Sequence, residues 1–131
     1  MSDVPPIWYE FRDAVYCGEF QVAEKMLRET PSLLHMANGI GETALHFLAV
    51  EDDQRGVDWL RTKGFNIDTK NEFGTPVLFE VAQLGYKELC AWFIENGADL
   101  TAQDRDGRDI GEYLLYYDKS EMADWVRKLG A

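Results

Sequence analysis

The chain has 131 residues, 46% of them hydrophobic and 28% charged, and a formal net charge of −11. That is the composition of a folded protein, and the length is that of one domain with enough chain to bury about two-thirds of its unfolded surface. A surface this acidic repels phosphate backbones and anionic headgroups, which sets nucleic acid and membranes aside as partners and favours a basic protein surface.

The N-terminus, Met1-Ser-Asp-Val-Pro-Pro6, has neither a basic start nor an apolar stretch, so no secretory signal is expected. No run reaches the roughly 18 apolar residues of a membrane span. The two cysteines, Cys17 and Cys90, are too few for a disulfide scaffold or a cysteine-built zinc site. A reduced, cytoplasmic setting is the expectation.

From residue 38 onward the chain repeats itself. Gly41, Gly74 and Gly107 are 33 residues apart, as are Gly64, Gly97 and Gly130, and as are Trp59, Trp92 and Trp125. With Trp59 fixed, chance would place two others on this period on the order of once in three thousand tries, so the repeat is real. Each unit opens with a turn in which Asn or Asp comes first and Gly closes: Asn38 to Gly41, Asn71 to Gly74, Asp104 to Gly107. A short apolar helix follows in each, over Ala44–Ala49, Val77–Ala82 and Ile110–Leu115. Thr43 and Asp109 are the expected caps, and Thr75-Pro76 places a capping hydroxyl before a proline at the first helical position. Gly85 ends the first helix of its unit. A second helix runs over Glu88–Glu95 and stops at Asn96-Gly97, with Leu89, Cys90, Trp92, Phe93 and Ile94 on one broad apolar face.

Gly41-Glu-Thr-Ala-Leu-His46 resembles the turn and first-helix motif of the ankyrin repeats, and Asn96-Gly97-Ala98-Asp99 resembles their terminating loop. The 33-residue period is that family's period. The resemblance implies an all-α ankyrin-repeat solenoid of helix-turn-helix units with projecting turns or short β-hairpins. It implies a single domain over 1–131, with repeats at about 5–37, 38–70, 71–103 and 104–131, the outer two acting as caps. In the first unit Ala14, Gly18, Val22, Met26 and Leu27 fall in the expected places, with one extra residue in the exit loop. Several positions depart from the pattern. Thr75-Pro76 comes one position early, Gly111 replaces a core leucine and Asp52 replaces the glycine between helices, while Arg61 and Arg127 occupy positions that usually bury a leucine.

Catalytic constellations are not legible. His46 takes the place of the family's motif histidine, whose implied role is hydrogen bonding that braces neighbouring turns, and His35 lies in an exposed loop. Ser2, Ser32 and Ser120 lie where no nucleophile is motivated. Gly39-Ile-Gly-Glu-Thr-Ala44 has the glycine spacing of a dinucleotide loop, but no β-branched strand precedes it and the repeat turn already explains the glycines. Glu51-Asp52-Asp53 lacks the spaced ligands of a calcium loop and reads as a solvated acidic turn. Cys90 aligns with Val57 and Ala123, and so reads as packing. The tryptophan stripe reads as filler between units. No catalysis, cofactor or metal is expected.

The resemblance implies that turn tips and the solvent side of the first helices form the binding face. Phe73 and Ile40 stand at turn tips that need no apolar residue, and Tyr116 and Tyr117 are adjacent, so one of them faces water. Aromatic anchors ringed by acids are the chemistry of an interface. The expected partner-binding set is Ile40, Glu42, Glu51, Asp52, Asp53, Glu72, Phe73, Gln83, Leu84, Arg105, Asp106, Tyr116 and Tyr117. Phe73, Tyr116 and Tyr117 are the anchors; Glu42, Glu51, Asp52, Asp53 and Glu72 steer. The expected function is a small standalone inhibitor or adaptor, a monomer by itself, that binds a basic patch on another protein. An immunity-type protein neutralising a basic toxin and a structural subunit of a larger assembly are the alternatives.

Overall fold

The computed structural model describes residues 4–130, and they are all-α. Four helix pairs follow one another: α1 (Pro6–Tyr16) with α2 (Phe20–Glu29), α3 (Ala44–Val50) with α4 (Gln54–Thr62), α5 (Val77–Gln83) with α6 (Lys87–Glu95), and α7 (Ile110–Tyr116) with α8 (Ser120–Lys128). A short 3-10 turn, Pro31–Leu34, leads out of the first pair and buries Leu33. The first helices stack directly on one another, α1 on α3, α3 on α5 and α5 on α7, which is the packing of a helical solenoid.

Helices of seven to eleven residues are marginal alone. Their caps and their burial hold them. Thr43 accepts a hydrogen bond from the His46 amide at 3.3 Å, and Asp109 forms a reciprocal capping box with Glu112. The Thr75 expectation does not hold. The early Thr-Pro puts Pro76 at the N-cap of α5, where it has no capping side chain, and leaves Thr75 one residue outside. The apolar core runs unbroken through the pairs, from Phe11 and Val15 through Leu45, Leu48 and Leu60 to Leu78, Phe93, Leu114 and Val126.

Projecting turns are present, but the expected short β-hairpins are not. Among the described residues the turns carry only isolated pairings, Ala37 with Thr43 and Lys70 with Pro76. Backbone bonds cross each turn, Asn38 N to Glu42 O, Asn71 N to Thr75 O and Asp104 N to Arg108 O, and side chains satisfy the amides between them. Asn38 Oδ1 accepts from the amides of Ile40 and Glu42, Asn71 Oδ1 from Phe73 and Thr75, and Asp104 Oδ1 from Asp106 and Arg108. The repeating Asn/Asp is therefore the residue that shapes each tip.

The three tryptophans behave as filler between pairs. Trp59 stacks on Phe20 at 5.2 Å, Trp92 donates to Asp58 Oδ1 at 3.2 Å, and the Lys87 ammonium lies 5.7 Å from the Trp125 ring. Each reaches back to the preceding second helix. The departures at Gly111 and Arg127 offset one another: the Arg127 guanidinium lies across Gly111, where a Cβ would come within 2.8 Å of it.

Two backbone positions have energetic consequences. Asp52 ends its helix at φ +58°, in the left-handed region that Gly85 occupies at +78° in the next pair. Gly41 has φ +79°, and a Cβ there would come within 2.5 Å of the Glu72 amide nitrogen. Asp52→Gly is expected to stabilise the fold by about 0.5–1 kcal/mol, because the left-handed penalty on a side chain is relieved. Gly41→Ala is expected to destabilise it by about 2 kcal/mol or more, since strain and a backbone clash add. Urea unfolding followed by circular dichroism checks both signs.

Candidate binding face and the polar seam beneath it

The turn tips form a ladder. The Glu72 amide donates to the Ile40 carbonyl at 2.9 Å, and the Arg105 guanidinium donates to the Glu72 carbonyl. Ile40, Glu72, Phe73, Arg105 and Asp106 are thus strung along one edge, all exposed, with Phe73 at 55%. Beyond it the ends of the first helices carry exposed Leu84, Tyr116 and Tyr117. Tyr116, the most open of these at 63%, packs edge-on against Tyr117 at 5.0 Å. The Arg108 guanidinium covers its ring at 3.8 Å, tying the last turn to the last of the first helices.

Three members of the expected set have internal duties. Glu42 is only 5% exposed, which removes it from the steering acids. It is drawn inward by Asn38, whose side-chain amide donates to Glu42 Oε1 at 2.9 Å. Asp53, half-buried, is the N-cap of α4 and accepts from the Gly56 amide at 3.1 Å. Gln83, also half-buried, accepts the Tyr113 hydroxyl at 2.5 Å. Glu51 and Asp52 remain exposed in the loop between α3 and α4.

A cleft was not legible in the sequence. Arg12, Asp13, Tyr16, Phe47, Leu48 and Glu51 line a hollow of about 290 Å³ between α1 and α3. The Arg12 guanidinium lies over Phe47 at 4.9 Å and is paired with Asp13 at 2.8 Å. The hollow falls just short of the roughly 300–1,000 Å³ of small-molecule sites.

Beneath the tips lies a buried polar seam between the second and third helix pairs. His46, fully buried on α3, has its Nε2 2.9 Å from Glu80 Oε1 on α5 and 3.7 Å from Glu42 Oε2. Asn71 Nδ2 donates to the same Glu80 oxygen at 2.8 Å. His46 does brace neighbouring units, as its motif position implies, but through a side chain of the next helix. The sequence signal for Glu80 is an acid inside the apolar stretch Val77-Leu-Phe-Glu-Val-Ala82, one residue off the repeat period from His46.

Two further buried groups are packing. Burial pushes the Cys90 thiol up to about 12, well out of the reactive range. Burial, then the neighbouring Tyr117, pushes the Tyr113 phenol up as well. No helix among the described residues is long and apolar enough to cross a membrane.

No family model matches the chain. Over 104 residues, 79% of its length, it is 28% identical to Ankyrin repeat and SAM domain-containing protein 6 of Mus musculus. Over 95 residues, 72% of its length, it is 27% identical to the protein of that name from Rattus norvegicus. The matched stretch is 11% of the length of either relative. This partial similarity, together with the paired and stacked helices, is consistent with an ankyrin-like repeat architecture and with a non-catalytic scaffold.

The two thiols should separate cleanly. Cys17 is exposed and Cys90 buried. A disulfide reagent at neutral pH is expected to titrate one thiol in the native chain, at Cys17, and the second only after denaturant. Peptide mapping checks the assignment.

Proposed function

We propose that this chain is a non-catalytic protein-binding module, and that its turn-tip and first-helix-end face takes a partner carrying a basic patch. One observation carries the reading. A row of exposed apolar and aromatic side chains, Ile40, Phe73, Leu84, Tyr116 and Tyr117, stands on a chain of net charge −11. Ordered aromatic groups on a rigid scaffold are the usual anchors of an interface, and surrounding charge governs the rate of encounter. Glu51, Asp52 and Glu72 are the steering acids, since Glu42 is buried and Asp53 caps a helix. The hollow between α1 and α3 continues this face and seats one side chain of the partner. Similarity to ankyrin-repeat proteins supports the same reading. Occupying a partner's surface is the simplest action of such a face, so inhibitor or adaptor is the class we favour.

The test begins with tagged co-purification at low and high salt, and mass spectrometry of the bound proteins. With the partner in hand, Phe73→Ala combined with Tyr116→Ala should weaken binding by at least about tenfold, mainly through faster dissociation. Reversing Glu51, Asp52 and Glu72 to lysine should slow association about tenfold at low salt and flatten its salt dependence. Unchanged rates in both variants would defeat this face as the site.

A further inference from the structure

We propose that Glu42, His46 and Glu80 form a binding site for one divalent transition-metal ion of the zinc class, set in the seam between the second and third helix pairs. The three residues offer one imidazole nitrogen and two carboxylate oxygens, all within 4.8 Å of one another. From His46 Nε2 the carboxylate oxygens lie at 2.9 and 3.7 Å. Ligands of a tetrahedral zinc ion, with bonds of about 2.0–2.2 Å, stand about 3.4 Å apart, midway between those distances. An ion between them therefore needs shifts of a few tenths of an ångström at His46, and a closing of the two carboxylate oxygens, which lie within 4.8 Å of each other, toward that same spacing of about 3.4 Å.

The charges ask for a cation. Glu42 is 5% exposed and Glu80 has 22% of its side chain exposed, and among the described residues neither has a lysine or arginine within ion-pair distance. Two carboxylates converging on one imidazole in a largely buried seam are costly without a positive charge between them. His46 is fully buried and has no partner outside the cluster: Nε2 faces the two acids, and Nδ1 meets no donor or acceptor. Glu42 Oε2 points at that same Nε2 from beyond hydrogen-bond range. Each carboxylate is also oriented by a side-chain amide: Asn38 holds Glu42 at 2.9 Å through the oxygen turned away from His46, and Asn71 holds Glu80 at 2.8 Å through the oxygen that faces it, and such outer partners are how metal-ligating carboxylates are held in place.

The donor set chooses the ion. One imidazole with two carboxylates suits zinc and its neighbours, whereas magnesium and calcium want oxygen alone and more of it. Glu80, the one partly open member, leaves a side for a solvent ligand. The affinity has a ceiling. A metal on Nε2 moves the ring proton to Nδ1, which has no acceptor here, and lack of that outer partner costs 10–100-fold. The expected dissociation constant is thus on the order of micromolar rather than nanomolar. The bound ion would pin α3 to α5 and stabilise the array against separation of its middle pairs. This site is independent of the partner-binding reading and does not need it.

The test uses the full chain stripped with chelator and titrated with zinc chloride by calorimetry, alongside thermal unfolding. One equivalent should bind and raise the melting temperature by several degrees, while magnesium and calcium do neither. Glu80→Gln and Glu42→Gln should each weaken zinc binding at least tenfold with the helical signal kept, and a Cys17→Ser, His35→Ala variant should bind as the parent does. Should the glutamine variants unfold, cobalt(II) in the parent chain decides: absorption of a tetrahedral nitrogen–oxygen site, with no thiolate charge-transfer band, supports the assignment. A thiolate band, zinc binding retained by both glutamine variants, or no binding below about 1 mM, far above the micromolar range expected of the site, would overturn it.

Discussion

No helix pair in this chain can bury its apolar face by itself, and that constraint organises the whole molecule. The helices of the last three pairs are seven to nine residues long, far below the length at which a helix holds itself together in water. Side chains that cross from one pair to the next are therefore the structure. Phe20 lies under Trp59, Asp58 takes the Trp92 indole, the Val50 carbonyl takes the Tyr86 hydroxyl, and Gln83 takes that of Tyr113. These contacts recur because the sequence period recurs. Stability in such an array is close to a sum over neighbouring interfaces, so the seam between the second and third pairs, which holds the buried polar cluster, carries the join between the two halves.

The same constraint explains what was legible in the sequence. A period of 33 residues in Gly and Trp can only mean units that must match their neighbours, so the helix pairs and the filling role of the tryptophans follow from spacing. Details that depend on a one-residue offset did not follow. Thr75-Pro76 has the composition of a helix start, yet its early register leaves Thr75 outside and Pro76 at the cap. The projecting turns were legible and their lack of hairpins was not, because Asn and Asp side chains take turn amides beside a few backbone bonds and no longer pairing follows.

The acids divide in the same way. Composition counts 24 Asp and Glu without saying which face water. Glu42 reads as a tip acid beside Glu72, but Asn38 pulls it inside while Glu72 stays out. Asp53 reads as part of an acidic run and is a helix cap. Asp52, between them, is exposed and held in a backbone conformation better suited to glycine. The matching position of the last pair, Asp118 at φ +60°, has the same residue and conformation, so these two loops use aspartate where Gly85 serves the third pair.

The tips and the seam share their scaffolding. Asn38 and Asn71 each use the side-chain oxygen to shape the turn that carries Ile40 or Phe73, and the side-chain amide to hold Glu42 or Glu80. Only an amide can do both, since a carboxylate accepts and has nothing to donate. The third turn, which overlies no such seam, has Asp104 at the same place; its second oxygen pairs with Arg108 at 3.3 Å, and that arginine covers Tyr116. Two asparagines thus connect the buried charges to the exposed apolar tips, while the aspartate connects its turn to an exposed ring. The same two side chains therefore set the shape of the tips and hold the acids of the seam.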